Sequence, residues 1–235
     1  MGNVYSVAEI LDMVDYLVRN THIRALGNIF RQDKGIIMGG KSSGWLSDCS
    51  LMVDEFRYIE NKVKAGLIDE ARGLRYFSRY RDDCTTLNVS NFMDISAEIY
   101  PPSLSLTQEN DNFEEVNVLD MHVKIQNGEV STRVYCKTDD FPFNVISLPF
   151  LTSNLDSRVC YMVFYGQVIR YQRLTSFKVD FEVRTKFLAD ILLARGYNKK
   201  ILCSKFSKAV EKYILEFQKW EIPLDLKSWF IDIVG

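Results

Sequence analysis

Apolar positions recur at helical spacing near the start of the chain, where Ile10, Leu11, Val14 and Leu17 share a face and predict a helix over 8–19. A second amphipathic stretch predicts a helix from about Gly44 to Ala65, with Ser42 or Ser43 as its cap and Gly66 as its stop. Between the two lie Ile29-Phe30-Arg31-Gln32 and a glycine-rich turn over 35–40. The period then changes. The segments 74–80 and 84–89 read as strands joined at Arg81-Asp82-Asp83, and 116–125 and 130–136 read as a hairpin turning at Asn127-Gly128. After Pro149 the helical period returns, over 157–171, 177–194 and 204–220; in the last, Phe206, Val210, Tyr213, Ile214 and Phe217 fall on one face. The pattern predicts an α+β protein whose first part, 1–150, mixes antiparallel hairpins with helices and whose second part, 151–235, is helical.

Composition fits a folded protein. Apolar residues make up 47% and charged residues 26% of the 235 positions, and no apolar run approaches the ~18 residues of a membrane span. The net charge of −2 excludes a chain that is basic throughout, but the distribution is uneven. Residues 101–150 carry eight acidic against three basic side chains, whereas 151–220 carry thirteen Lys and Arg against six Asp and Glu. A basic C-terminal third can meet phosphates; a solvated helical surface explains the same lysines. Five scattered cysteines, none in a CxxC, argue against a zinc site and a disulfide framework, and predict a reducing intracellular compartment. The start Met1-Gly2-Asn3-Val4-Tyr5-Ser6 matches a myristoylation pattern only superficially.

Candidate chemistry centres on Asp82 and Asp83 in Arg79-Tyr80-Arg81-Asp82-Asp83. A tight hairpin holding two carboxylates together creates repulsion that a divalent cation relieves. Magnesium takes hard oxygen ligands and keeps room for waters and phosphates. Other candidates have blander readings. His122 alternates with strand residues, Asp139-Asp140 reads as a solvated turn, and Asp48 suits the dipole at the start of its helix.

Tyr80-Arg81-Asp82-Asp83 resembles the Tyr-x-Asp-Asp box of reverse transcriptases, and Gln32-Asp33-Lys34-Gly35-Ile36-Ile37-Met38-Gly39 resembles their Gln-x-x-Gly-Ile-Pro-Met-Gly box, in the same order and at similar spacing. Val118-Leu119-Asp120-Met121-His122-Val123 is similar to a Leu-Asp-Leu-His stretch in Penelope-like and related retroelements. The resemblance continues through Arg133–Phe141, Ser153-Asn154 and Ile169-Arg170-Tyr171. It implies a partial polymerase palm followed by a helical thumb. Asp82 and Asp83 would be the catalytic residues and ligands of Mg2+ or Mn2+. Gln32, Gly35, Met38, Gly39, Ser42, Tyr80 and Lys137 would contact the nucleotide and template–primer. Arg158, Arg170, Arg173, Lys178, Lys199, Lys200, Lys205 and Lys208 would hold the backbone of RNA or an RNA–DNA duplex, contacts that are independent of sequence and sensitive to salt.

The chain departs from that pattern at several places. The family takes a further metal-binding aspartate from a strand ahead of the glycine box, and no residue here matches it, since Asp12 and Asp15 lie within the helical stripe. Arg81 occupies a slot where small or apolar residues are usual, so that its guanidinium can compete with metal for Asp82 or Asp83. Ile37 and Gly44 stand where prolines are common, which loosens the loop. Two functions follow as expectations. One is an RNA-directed DNA polymerase fragment that needs its missing aspartate and fingers from elsewhere. The other is an inactive, repurposed subunit with a structural or RNA-binding role. Both expect a protein partner that covers the incomplete palm.

Overall fold

The computed structural model describes residues 4–37, 39–143 and 145–235. The protein is α+β, with small antiparallel sheets among helices. It divides into an N-terminal unit, Met1–Thr107, and a C-terminal unit, Gln108–Gly235.

The N-terminal unit begins with α1 (Val7–Arg19), whose start is fixed by a capping box: Ser6 Oγ accepts from the Glu9 amide while the Glu9 carboxylate accepts from the Ser6 amide at 2.8 Å. None of its residues is buried. A two-stranded hairpin follows, β1 (His22–Ala25) and β2 (Asn28–Arg31), turning at Leu26-Gly27. Helix α2 (Ser43–Lys64) matches its expected span. It stops at Gly66, where φ is +77°. The Gly66 amide bonds to the Val63 carbonyl and the Leu67 amide to the Lys62 carbonyl, the Schellman pair that a left-handed glycine makes possible. The expected serine cap is absent. Ser42 precedes α2 in a helical backbone conformation, φ −97° and ψ −10°, and its hydroxyl caps no amide. A capping side chain needs the extended conformation instead.

After α3 (Ile68–Gly73) and a short 3₁₀ turn comes the hairpin β3 (Phe77–Tyr80) and β4 (Asp83–Thr86), then α4 (Phe92–Ile99). The expected first strand is thus half 3₁₀ turn and half strand. The core of this unit is small. Tyr58, Leu74, Ile99 and Tyr100 are buried, and Leu51, Phe77, Phe92 and Ile95 pack around them.

The C-terminal unit holds a three-stranded sheet in the order β5 (Glu115–Val118), β6 (Met121–Gln126), β7 (Glu129–Val134). The turn at Asn127-Gly128 is where expected. The expected single strand over 116–125 is two strands, because the chain reverses at Leu119-Asp120, with Leu119 at φ +53°. Leucine rarely adopts that conformation, so no residue-type signal marked the turn. Strand β7 is joined to the connector between two helices: the Ser176 amide donates to the Thr132 carbonyl at 2.8 Å, and the Thr132 amide to Ser176 Oγ at 2.9 Å.

Those helices are α5 (Ser157–Leu174) and α6 (Lys178–Ala194), followed by α7 (Lys199–Lys212), a short α8 (Ile214–Phe217) and α9 (Leu226–Val234). The expected helix over 204–220 starts earlier and breaks at Tyr213. Asn198 sets the start by accepting from the amides of Lys200 and Ile201. The core is aromatic: Phe181 lies against Phe206, Phe217, Trp220 and Trp229 at centroid distances of 5.1–6.4 Å. Val134 of β7 packs onto that same core. The change of texture at residue 150 is a change of secondary structure inside the C-terminal unit, which begins at Gln108. Among the described residues no helix is long and apolar enough to cross a membrane.

Candidate functional site

Tyr80 pairs with Asp83 across the β3–β4 hairpin, which leaves Arg81 and Asp82 as a two-residue turn. Arg81 has φ +59°, an uncommon state for a residue with a side chain. Asp82 and Asp83 are adjacent and both exposed.

The turn is fastened from below by Arg79. Burial alternates along β3, with Phe77 and Arg79 inward and Ser78 and Tyr80 outward. An inward guanidinium must be paired, and here each of the three nitrogens has an acceptor. Its Nε donates to Glu55 at 2.5 Å and its Nη1 to Asp48 at 3.1 Å, both on α2. Nη1 also donates to the Arg81 carbonyl in the turn at 3.2 Å, and Nη2 to the Asp48 carbonyl at 3.1 Å. The Arg79 side chain is 9% exposed and that of Glu55 15%. Glu55 also accepts from the Tyr100 hydroxyl at 2.8 Å. Burial works against the Arg79 charge, but Glu55 and Asp48 outweigh it and hold its pKa above the ordinary value. Burial, with Glu55 as hydrogen-bond acceptor, pushes the Tyr100 hydroxyl strongly upward. Burial likewise raises the Cys84 thiol, which stands 3.9 Å from that hydroxyl.

Asp48 is thus an ion-pair partner on the face of α2 that meets the hairpin, in addition to its place near the helix start. Sequence reasoning missed this network. A signal was present: Asp48, Leu51, Glu55 and Tyr58 follow one another at spacings of three and four, one face of α2.

Arg81 does not neutralise the aspartates. Among the described residues it has no carboxylate partner. Its guanidinium lies 5.9 Å from the exposed Tyr80 ring and against Gly44 at the start of α2, where an added Cβ would come within 3.3 Å of Nη2.

The glycine-rich loop leads into that helix start. Gly35 and Gly39 have φ of +79° and +88°, conformations open mainly to glycine. Gln32 Nε2 donates to the Lys34 carbonyl at 2.8 Å, while its Oε1 is buried without a hydrogen-bond partner among the described residues. A groove of about 400 Å³ runs along Gly35, Ile37, Ser42, Ser43 and Leu46 and the Leu17–Val18 end of α1. Neither aspartate lines it. Met38 lies outside the described residues.

The remaining candidates belong to the C-terminal unit. Lys137 is exposed in a 3₁₀ turn over 137–140. The acidic pair beside it is engaged rather than merely solvated: Arg184 donates to Asp139 at 2.6 Å and the Tyr135 hydroxyl donates to Asp140. His122 is held between Asn117, 2.8 Å from Nδ1, and Glu115, 3.5 Å from Nε2. Several of the expected phosphate-binding cations are committed within the unit. Arg158 pairs with Asp156 at 2.8 Å, Arg170 with Asp120, and Arg173 with both oxygens of Glu216 at 2.7 and 2.8 Å. Lys178 and Lys199 donate to the carbonyls of Glu221 and Gly235. Lys200, Lys205 and Lys208 on α7 have no carboxylate partner among the described residues, and their spacing keeps them within one broad arc of the helix.

Nothing among known protein families, curated proteins or solved structures matches this chain.

As a metal site, the hairpin tip offers two carboxylates, Asp82 in the turn and Asp83 at the first position of β4. Among the described residues no group of three His, Cys, Asp or Glu side chains is gathered for a metal ion. Magnesium is commonly bound through one or two carboxylates with waters and substrate phosphates completing the octahedron, so two carboxylates are enough in number for one such ion. A pair of ions about 4 Å apart calls for a further ligand.

Proposed function

We propose that this chain is the palm-and-thumb part of a reverse-transcriptase-like protein, acting in template-directed nucleotidyl transfer together with a partner that contributes the remaining metal ligand. The observation that carries the reading is the exposed Asp82-Asp83 pair at the tip of a two-residue turn, with the glycine-rich loop leading into the helix to which that turn is tied. Asp82 and Asp83 would hold a magnesium or manganese ion, which supplies charge neutralisation for the reacting phosphates. Exposed Tyr80, Gln32 and the glycines at positions 35 and 39 would border the nucleotide. Lys200, Lys205 and Lys208, which have no carboxylate partner among the described residues, are better suited to phosphates than Arg158, Arg170 and Arg173, whose charges are already paired. The apolar surfaces of α1 and the β1–β2 hairpin, including Leu11, Leu17, Ile29 and Phe30, support a protein partner.

A second reading, a repurposed subunit without chemistry, is favoured by Arg81, a cation within the turn itself and laid on the start of α2. Calorimetric titration with Mn2+ in the presence of an RNA–DNA primer–template separates the two. Saturable binding that disappears in the double variant Asp82→Asn, Asp83→Asn is expected. Duplex binding without any metal uptake would leave only the second reading.

A further inference from the structure

We infer that Arg79 is a positioning residue, setting the Asp82-Asp83 turn in register with the helix that begins at the glycine-rich loop. The inference rests on the metal-binding reading above for its purpose, and on geometry for its substance.

The two halves of the candidate site come from segments about forty residues apart in sequence. One is the loop and first turns of α2, the other the β3–β4 turn. A two-stranded hairpin is marginal alone and swings freely unless packed or tied. Apolar packing holds one point of this hairpin, where Phe77 of β3 stacks on Phe92 against a small core that, among the described residues, buries Tyr58, Leu74, Ile99 and Tyr100. Arg79 supplies the tie. Its donors span both halves: Nε and Nη2 reach Glu55 and the Asp48 carbonyl on α2, while Nη1 is shared between the Asp48 carboxylate and the Arg81 carbonyl inside the turn. Asp48 and the turn carbonyl therefore bind the same nitrogen, at 3.1 and 3.2 Å, which limits how far the turn can move from the helix. The planar guanidinium fork is what permits this. A lysine has one nitrogen and cannot satisfy acceptors spread along two turns of helix and a hairpin. Asp48 and Glu55 stand seven residues apart, two turns of α2, and so present their carboxylates to a single guanidinium from one face.

Two measurements on the full chain test the inference, using Arg79→Lys and the milder Asp48→Asn, whose side chain is 46% exposed and tolerates replacement. The first needs no metal: amide hydrogen exchange across residues 77–86 against that of α2. Exchange in the turn should accelerate at least tenfold in Arg79→Lys and less in Asp48→Asn, with α2 beyond Tyr58 unchanged. Unaltered exchange in the turn of both variants would overturn the inference. The second is Mn2+ affinity with primer–template bound, which should fall at least tenfold in Arg79→Lys while the melting temperature of the C-terminal unit stays constant. A loosened turn with undiminished Mn2+ affinity would equally overturn it. Should wild-type protein take up no Mn2+, the metal-binding reading fails, and the exchange data alone decide whether Arg79 holds the turn. If Arg79→Lys does not fold, the same two readings on Asp48→Asn carry the test.

Discussion

The two units are built on different physics. In the C-terminal unit a contiguous set of buried apolar side chains runs from Cys160 to Val234, with Phe164, Phe181, Phe206, Phe217 and Phe230 fully enclosed. In the N-terminal unit the buried apolar residues among those described reduce to Tyr58, Leu74, Ile99 and Tyr100, and beside them stands the network of Arg79 with Asp48 and Glu55. Helix α1 makes the contrast sharpest, since it is amphipathic by sequence yet none of its residues is buried and only Val14 is half-buried. Hydrophobic burial is non-directional and sums over area. An ion-pair network contributes little net stability but specifies one geometry. The C-terminal unit thus has the larger apolar core, and the unit with the network is the one that holds the candidate site.

The comparison can be broken most directly at Phe206, which is fully buried between Trp229 and Phe230. Phe206→Ala should cost about 3–5 kcal/mol and lower the denaturant midpoint followed through the C-terminal helices. If that cost is under ~1 kcal/mol, the aromatic cluster is not the core of that unit. A smaller effect is expected at Tyr100 in the N-terminal unit. Tyr100→Phe removes the hydroxyl that donates to Glu55 and keeps the ring, so about 1–2 kcal/mol should be lost from the unfolding free energy of that unit alone. A neutral result would mean that the network does not support the fold. The least effect belongs to Leu11, 61% exposed on α1. Leu11→Ala should change stability by less than ~0.5 kcal/mol in the isolated chain. A loss comparable to that at Phe206 would show that this face of α1 is buried in solution.

Some of this architecture was legible at once. Ile10, Leu11, Val14 and Leu17 marked α1, Gly66 marked the end of α2, and Asn127-Gly128 marked the β6–β7 turn. Each rests on a local rule, either the period of a helix or the need for positive φ. The turn at Leu119-Asp120 escaped notice because a leucine at φ +53° carries no turn signal. The break at Tyr213 escaped because Phe206, Val210 and Phe217 continue an apolar period across it. The α4 and α9 helices, short and flanked by irregular segments, also went unanticipated. Within the candidate site, the two aspartates and their hairpin were readable from the chain. Arg79 was not, because a charged residue in a strand reads as solvent-facing until its partners are known.

Local order, the alternation of hairpins and helices, and the adjacency of Asp82 and Asp83 belong to the amino-acid sequence alone, for they depend on neighbours only a few residues away. Which apolar faces are covered was decided in three dimensions. So were the division at residue 107 rather than 150 and the pairing of Arg79 with Asp48 and Glu55. The reason is the same in each case: burial and ion pairing depend on groups distant in sequence, and chain closure determines which of them meet.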